Sequence, residues 1–200
     1  MSDFQLAPPL PPPGPPFIPA SFPQNTDDGD TDGYVLNHVA LQISSPAASF
    51  AFYVDFLGMS LIFALNAGPM TAYYLGYPDK GNDTVPADMA RASGGRSGLL
   101  ELIVAHNEHG QAEHAETNGF EKPRRKAGFA HLGLRVPDVA ATLRRAEEKG
   151  WKVAKPLDKV DVHFMPLPGW ERQPESTVRK WEGGFEKTFA QIAFIQDPDG

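Results

Sequence analysis

An α+β fold of paired βαβββ modules is predicted by three features of the sequence. Strand-like and helix-like segments follow one another in the order βαβββ between Tyr34 and Ala105, and the same order begins again near Gly128. The two stretches also align: His38 falls on His131, Leu41 on Leu134, Ile43 on Val136, and Gly58 nearly on Gly150. A small module that leaves one sheet face bare can bury it against its own copy, so a repeated strand–helix unit is a fold-level signal.

Each element has a local cause. Residues 1–33 hold nine of the twenty prolines and end in the acidic run NTDDGDTDG, a composition that cannot bury enough surface to order itself and is expected to be a disordered tail. Order is expected from residue 34 to 200. YVLNHVALQIS is a Val/Leu/Ile-rich strand. Ser45-Pro46 then marks a helix start, and Ala47 to Leu57 sets Phe50, Tyr53, Val54 and Leu57 at helical spacing before Gly58 ends the helix. MSLIFAL, TAYYLGY and GLLELIVA supply three further strands, the second and third separated by a polar, glycine-rich loop. In the second stretch GFAHLGLRV is a strand, Pro137 to Lys149 a helix closed by Gly150, and WKVA and FAQIAFI are strands. The expected boundaries are module one at 34–106, a linker at 107–126 and module two at 127–200.

Composition excludes several functions. The net charge of −7 disfavours a nucleic-acid partner, since phosphate binding needs a concentrated basic surface. No apolar run approaches the length of about 20 residues that crosses a bilayer, so no membrane partner is expected. The N-terminus lacks a signal-peptide pattern and the chain has no cysteine, which points to the cytoplasm. The basic cluster KPRRK, Lys122 to Lys126, reads either as a solvated loop or as an anion clamp close to His131.

The candidate chemistry lies in His38, Glu101 and His131. One histidine inside an apolar strand is commonly a satisfied core residue, but two at matching places of a repeat would be brought together by pseudo-symmetry. Glu101 stands among leucines, where an ionised carboxylate is costly unless paired or metal-bound. The alternatives are a protonated or salt-bridged glutamate, or an edge strand on which it meets water. Two imidazoles and a carboxylate form an N/O donor set suited to Zn²⁺, Ni²⁺, Co²⁺ or Fe²⁺.

HVALQISSPAASFAFYVDFLGMSLI, TAYYLGYPDK, RSGLLELIVAHN, GFAHLGLRVPDV and AFIQDPDG, in that order over most of residues 34–200, resemble the sequence blocks of the glyoxalase I family, within the vicinal-oxygen-chelate superfamily. The resemblance implies a four-ligand site for one divalent ion, zinc or nickel. His38, Glu101 and His131 stand at three ligand positions, and a glutamate beyond DPDG would be the fourth. The sequence ends at Gly200, so the second module is expected to lack its last strand and that carboxylate, with weakened or absent turnover.

The implied reaction isomerises the methylglyoxal–glutathione hemithioacetal to S-lactoylglutathione, with Glu101 as a catalytic carboxylate. The implied partner is this glutathione-derived small molecule, and a homodimer is expected. Asn107 resembles a glutathione-contacting asparagine, although it lies two residues further from Glu101 than is usual. Arg125 and Lys126 stand close to Ala127, which replaces a common basic residue. Gln42 occupies a position that is commonly arginine.

Two other functions fit parts of the pattern: an extradiol-type dioxygenase of the same superfamily, which has no need of Glu101, and a non-catalytic module that binds a metal or small ligand. HNEHGQAEH reads as a solvated linker, with a second metal site at His106, His109 and His114 as the alternative. The long connection from Pro156 to Lys187, carrying Trp170 and Trp181, reads as a lid, a dimer contact or a surface insertion.

Overall fold

The structure, a computed structural model, describes residues 33–106, 129–160 and 185–200. The expected disordered tail, the linker, KPRRK, Asn107, Arg125, Lys126, His109, His114, Trp170 and Trp181 lie outside these residues. Two compact units divide the chain. In described residues, one holds 33–106 with 148–152 and 196–200, and the other holds 129–147, 153–160 and 185–195.

The first unit contains the βαβββ order. Strand β1 (His38–Gln42) leads through α1 (Pro46–Phe50) and a π-helical turn (Ala51–Phe56) to β2 (Ser60–Asn66), β3 (Met70–Gly76) and β4 (Leu99–Ala105). The sheet order is β1-β4-β3-β2, with β1 parallel to β4 and the other pairs antiparallel. Ser45 caps α1 by accepting from the Ala48 N–H at 3.3 Å, and Pro46 follows where its missing N–H costs nothing. The helix then widens. Leu57 N–H donates to Phe52 O at 2.9 Å, a five-residue step, and Gly58 ends the element at φ +76°, where a Cβ would be strained.

That extra residue in the turn shifts the apolar phase. Phe52, Tyr53 and Phe56 are buried, whereas Val54 and Leu57, expected on the inner face, are only half-buried. Phe50 meets Tyr73 edge-on at 5.1 Å, so the helical segment covers the sheet face bearing Tyr73 and the buried Leu75, Leu100, Leu102 and Val104. Trp151 also packs edge-on against Phe52, at 5.1 Å. Strand alternation leaves His38, Tyr74 and Glu101 on the opposite face.

The loop between β3 and β4 contains an unexpected helix, α2 (Pro86–Ala92), followed by a 3₁₀ turn, Ser93–Gly95. Asp88 organises its start, accepting from the Thr84 hydroxyl and from the Thr84 and Val85 N–H groups, and these bonds lower its carboxyl to about 2. Met89 packs with Ile62 and Leu99. Gly76 gives these side chains room, since a Cβ would sit 2.9 Å from Leu99 Cδ2 and 3.2 Å from Ile62 Cδ1 and would make them shift.

In the second unit α3 (Val139–Glu148) starts on Asp138, whose Oδ1 accepts from the Ala141 N–H at 2.8 Å. Strand β5 (Val153–Lys155) pairs antiparallel with β6 (Phe194–Ile195). Two expectations need correction. Residues 129–136 form no strand, because they find no ladder partner among the described residues, and Phe129, Leu132 and Leu134 are exposed. Residues 189–195 are not one strand either: α4 (Phe185–Ala190) takes their start. Lys155, fully buried, explains that choice by donating to the Phe189 carbonyl at 2.9 Å and to the Ile192 and Pro156 carbonyls, tying down the last turn of α4.

Candidate metal centre

His38 and Glu101 meet. The parallel register sets His38 opposite Leu99 and Ala40 opposite Glu101, so both polar residues share one face of neighbouring strands. Nε2 of His38 lies 3.3 Å from Oε2 of Glu101, with side-chain exposures of 34% and 13%, so the carboxylate is held largely out of water while the imidazole keeps an open side. The separation suits two donors facing a common cation. The glutamate is therefore paired, one of the alternatives its sequence context left open.

Tyr74 completes this corner. It is the direct antiparallel neighbour of Glu101, its ring stands edge-on to His38 at 5.3 Å, and it stacks on Phe63 at 4.5 Å. Desolvation, followed by the neighbouring Glu101 carboxylate, raises its hydroxyl above the usual phenol value, so it stays protonated at neutral pH. On the other side of the imidazole, Asn37 Oδ1 lies 2.8 Å from His38 Nδ1. Neither Tyr74 nor Asn37 had a signal in the sequence, since their roles come from register and from contacts far along the chain.

His131 belongs to the second unit, where it is exposed and its ring lies 5.9 Å from that of Phe194. Among the described residues no group of three or more His, Cys, Asp or Glu side chains is placed to hold a metal ion. His106 is occupied at both ring nitrogens, Nδ1 by the Gly68 carbonyl at 2.8 Å and Nε2 by the Thr71 hydroxyl at 3.1 Å, which makes it a clasp between strand ends. Gln42 is exposed at the end of β1. A broad open cleft of about 750 Å³, lined by Tyr77, Asp79, Asn82, Arg96, Ser97 and Leu99 among others, excludes both His38 and Glu101. Its cation, Arg96, is already paired with Asp83.

Residues 35–164 match the profile of the Glyoxalase/Bleomycin resistance protein/Dioxygenase superfamily. The chain belongs to that superfamily. Within it, the chain is 34% identical over 178 residues to a lactoylglutathione lyase of Pseudomonas aeruginosa, covering 86% of this chain and 82% of that protein. A lactoylglutathione lyase of Pseudomonas putida is 29% identical over 178 residues, covering 86% and 84%. Glyoxalase I of Saccharomyces cerevisiae is 29% identical over 129 residues, covering 62% of this chain and 38% of that longer protein. Membership agrees with the βαβββ order of the first unit.

Proposed function

We propose that this chain is a glyoxalase I-type lactoylglutathione lyase, which isomerises the methylglyoxal–glutathione hemithioacetal to S-lactoylglutathione. The observation that carries the reading is the His38–Glu101 pair, 3.3 Å apart on one sheet face, in a chain 34% identical to a lactoylglutathione lyase. One imidazole nitrogen and one carboxylate converge here, part of an N/O set of the kind that takes a divalent ion such as zinc or nickel, and His131, on the repeat-equivalent segment, is the proposed third ligand. When bound, such an ion supplies Lewis-acid stabilisation of negative charge developing on the substrate oxygens.

The chain's own residues do the rest. A proton must leave the carbon that carries sulfur and hydroxyl and be returned to the neighbouring carbonyl carbon, while the hydroxyl proton of the first carbon is lost and one is gained by the former carbonyl oxygen, so atoms and electrons balance. Glu101 is the carboxylate proposed to carry it, with Tyr74 directly beside it across the β3–β4 register. Asn107, Arg125 and Lys126 are proposed to take the polar ends of glutathione, with Gln42 leaving that recognition without a point charge at the end of β1. The reading takes 34–106 and 127–200 as two modules joined by 107–126, acting as a homodimer in the cytoplasm.

The test is metal content by elemental analysis, followed by isomerisation of the hemithioacetal monitored by thioester formation. Glu101→Gln is expected to lower turnover by about 10²–10⁴-fold, the range for a lost general base, and to weaken metal binding. Turnover unaffected by Glu101→Gln would remove the assignment of Glu101. Bound metal without any isomerisation in the parent chain would favour the binding module instead.

A further inference from the structure

We propose that Asn37 is a positioning residue that fixes the tautomer and direction of the His38 ring. The inference rests on the reading of His38 as a ligand only for its consequence, because the geometry that sets the ring is independent of any metal. Nδ2 of Asn37 donates to two backbone carbonyls, Ser93 O at 2.7 Å and Arg96 O at 2.8 Å, at either end of the 3₁₀ turn before β4. Rotating the amide by half a turn would aim its oxygen at both carbonyls, three acceptors together, so the network itself assigns which atom is which.

With the amide so fixed, the atom facing His38 Nδ1 at 2.8 Å is the acceptor Oδ1. Nδ1 must therefore carry its hydrogen and donate it. Nε2 is then the nitrogen left to face the Glu101 carboxylate at 3.3 Å, two acceptors that attract only with a cation or a shared proton between them. A ring without this constraint could turn about its Cβ–Cγ bond or carry its hydrogen on Nε2, and either change removes the donor electrons from the site. The Asn37 backbone shares the arrangement, since its carbonyl accepts from the Leu99 N–H at 3.1 Å. Asn37 thus connects the 3₁₀ turn, the start of β4 and the imidazole, and Tyr74 closes the other side of the ring. Partners of this kind are worth about 10–100-fold in metal affinity elsewhere.

Two measurements on the full chain test the proposal. Long-range ¹H–¹⁵N correlation of the metal-free protein, at a pH where the ring is neutral, should give His38 the Nδ1–H pattern. Asn37→Leu and Asn37→Ala, which both remove the acceptor, should shift the population to the Nε2–H form. Titration with Ni²⁺ or Zn²⁺ should show about 10–100-fold weaker binding for both variants than for the parent chain. An Nδ1–H pattern that survives in Asn37→Leu would overturn the proposal, as would an Nε2–H pattern in the parent chain. If the parent binds neither metal but shows the expected tautomer change, the positioning role stands and the metal reading fails. Circular dichroism of both variants separates unfolding from a local effect.

Discussion

Glu101 sits on a strand whose neighbours Leu100 and Leu102 are almost fully buried, and its own side chain is turned to the other face, where His38 and Tyr74 meet it. The carboxylate could be picked out in GLLELIVA because an acid between leucines is costly without a partner. Its partners could not. Asn37 reaches carbonyls 56 and 59 residues away, and Tyr74 reaches Glu101 through the β3–β4 register, so neither leaves a local pattern. Tyr74→Phe tests the hydroxyl directly. It keeps the stack on Phe63 and removes the hydroxyl next to Glu101, so we expect a several-fold fall in kcat with little change in stability. An unchanged kcat, measured alongside urea denaturation, would show that Glu101 needs no help from Tyr74.

Between Ser45 and Gly58 the sequence marks both ends of a helix correctly, and the structure alters what lies between. Ser45 and Pro46 start it and Gly58 stops it for local reasons, namely capping, a preset φ and a left-handed backbone. The π turn has no mark in the spacing, and within it Phe52, Tyr53 and Phe56 are the residues that become buried. Gly58→Ala should therefore cost about 1–2 kcal/mol in chemical denaturation, the penalty of a side chain at positive φ, with no clash to add because nothing lies within 4 Å of the new Cβ. A neutral outcome would mean that the helix end relaxes. Elsewhere the elements show how far local pattern reaches. PADMARA hides a helix in a loop that reads as polar and glycine-rich, although Pro86 in its first turn and the acid at Asp88 were available as signals. GFAHLGLRV has strand composition but no ladder among the described residues, and composition cannot provide a partner.

The chain returns to its first module from two distant places. Asp197 accepts from the buried Tyr53 hydroxyl at 2.6 Å, Asp199 accepts from the Ser44 N–H and hydroxyl, and Trp151 packs on Phe52 and Phe56, so residues 148–152 and 196–200 belong to the same compact unit as β1 to β4. The two carboxylates of DPDG thus have structural work, tying the chain end to the π turn and to the end of β1. Burial, then the bond to Asp197, raises Tyr53 well above the usual phenol value, so this donor stays protonated over the accessible pH range. In a double-mutant cycle of Tyr53→Phe and Asp197→Ala, thermal or urea denaturation should give a coupling of about 1–2 kcal/mol, and purely additive losses would show the bond to be incidental. The sequence by itself determined the order of elements in the first module, their glycine and proline stops, and the choice of His38 and Glu101. These follow from residue type and spacing along a few turns of chain. Tertiary structure alone decided which side chains surround that pair, where α2 forms, and that residues 129–136 stand without a ladder among the described residues. Those outcomes depend on strand register and on partners tens of residues away, which no local periodicity carries.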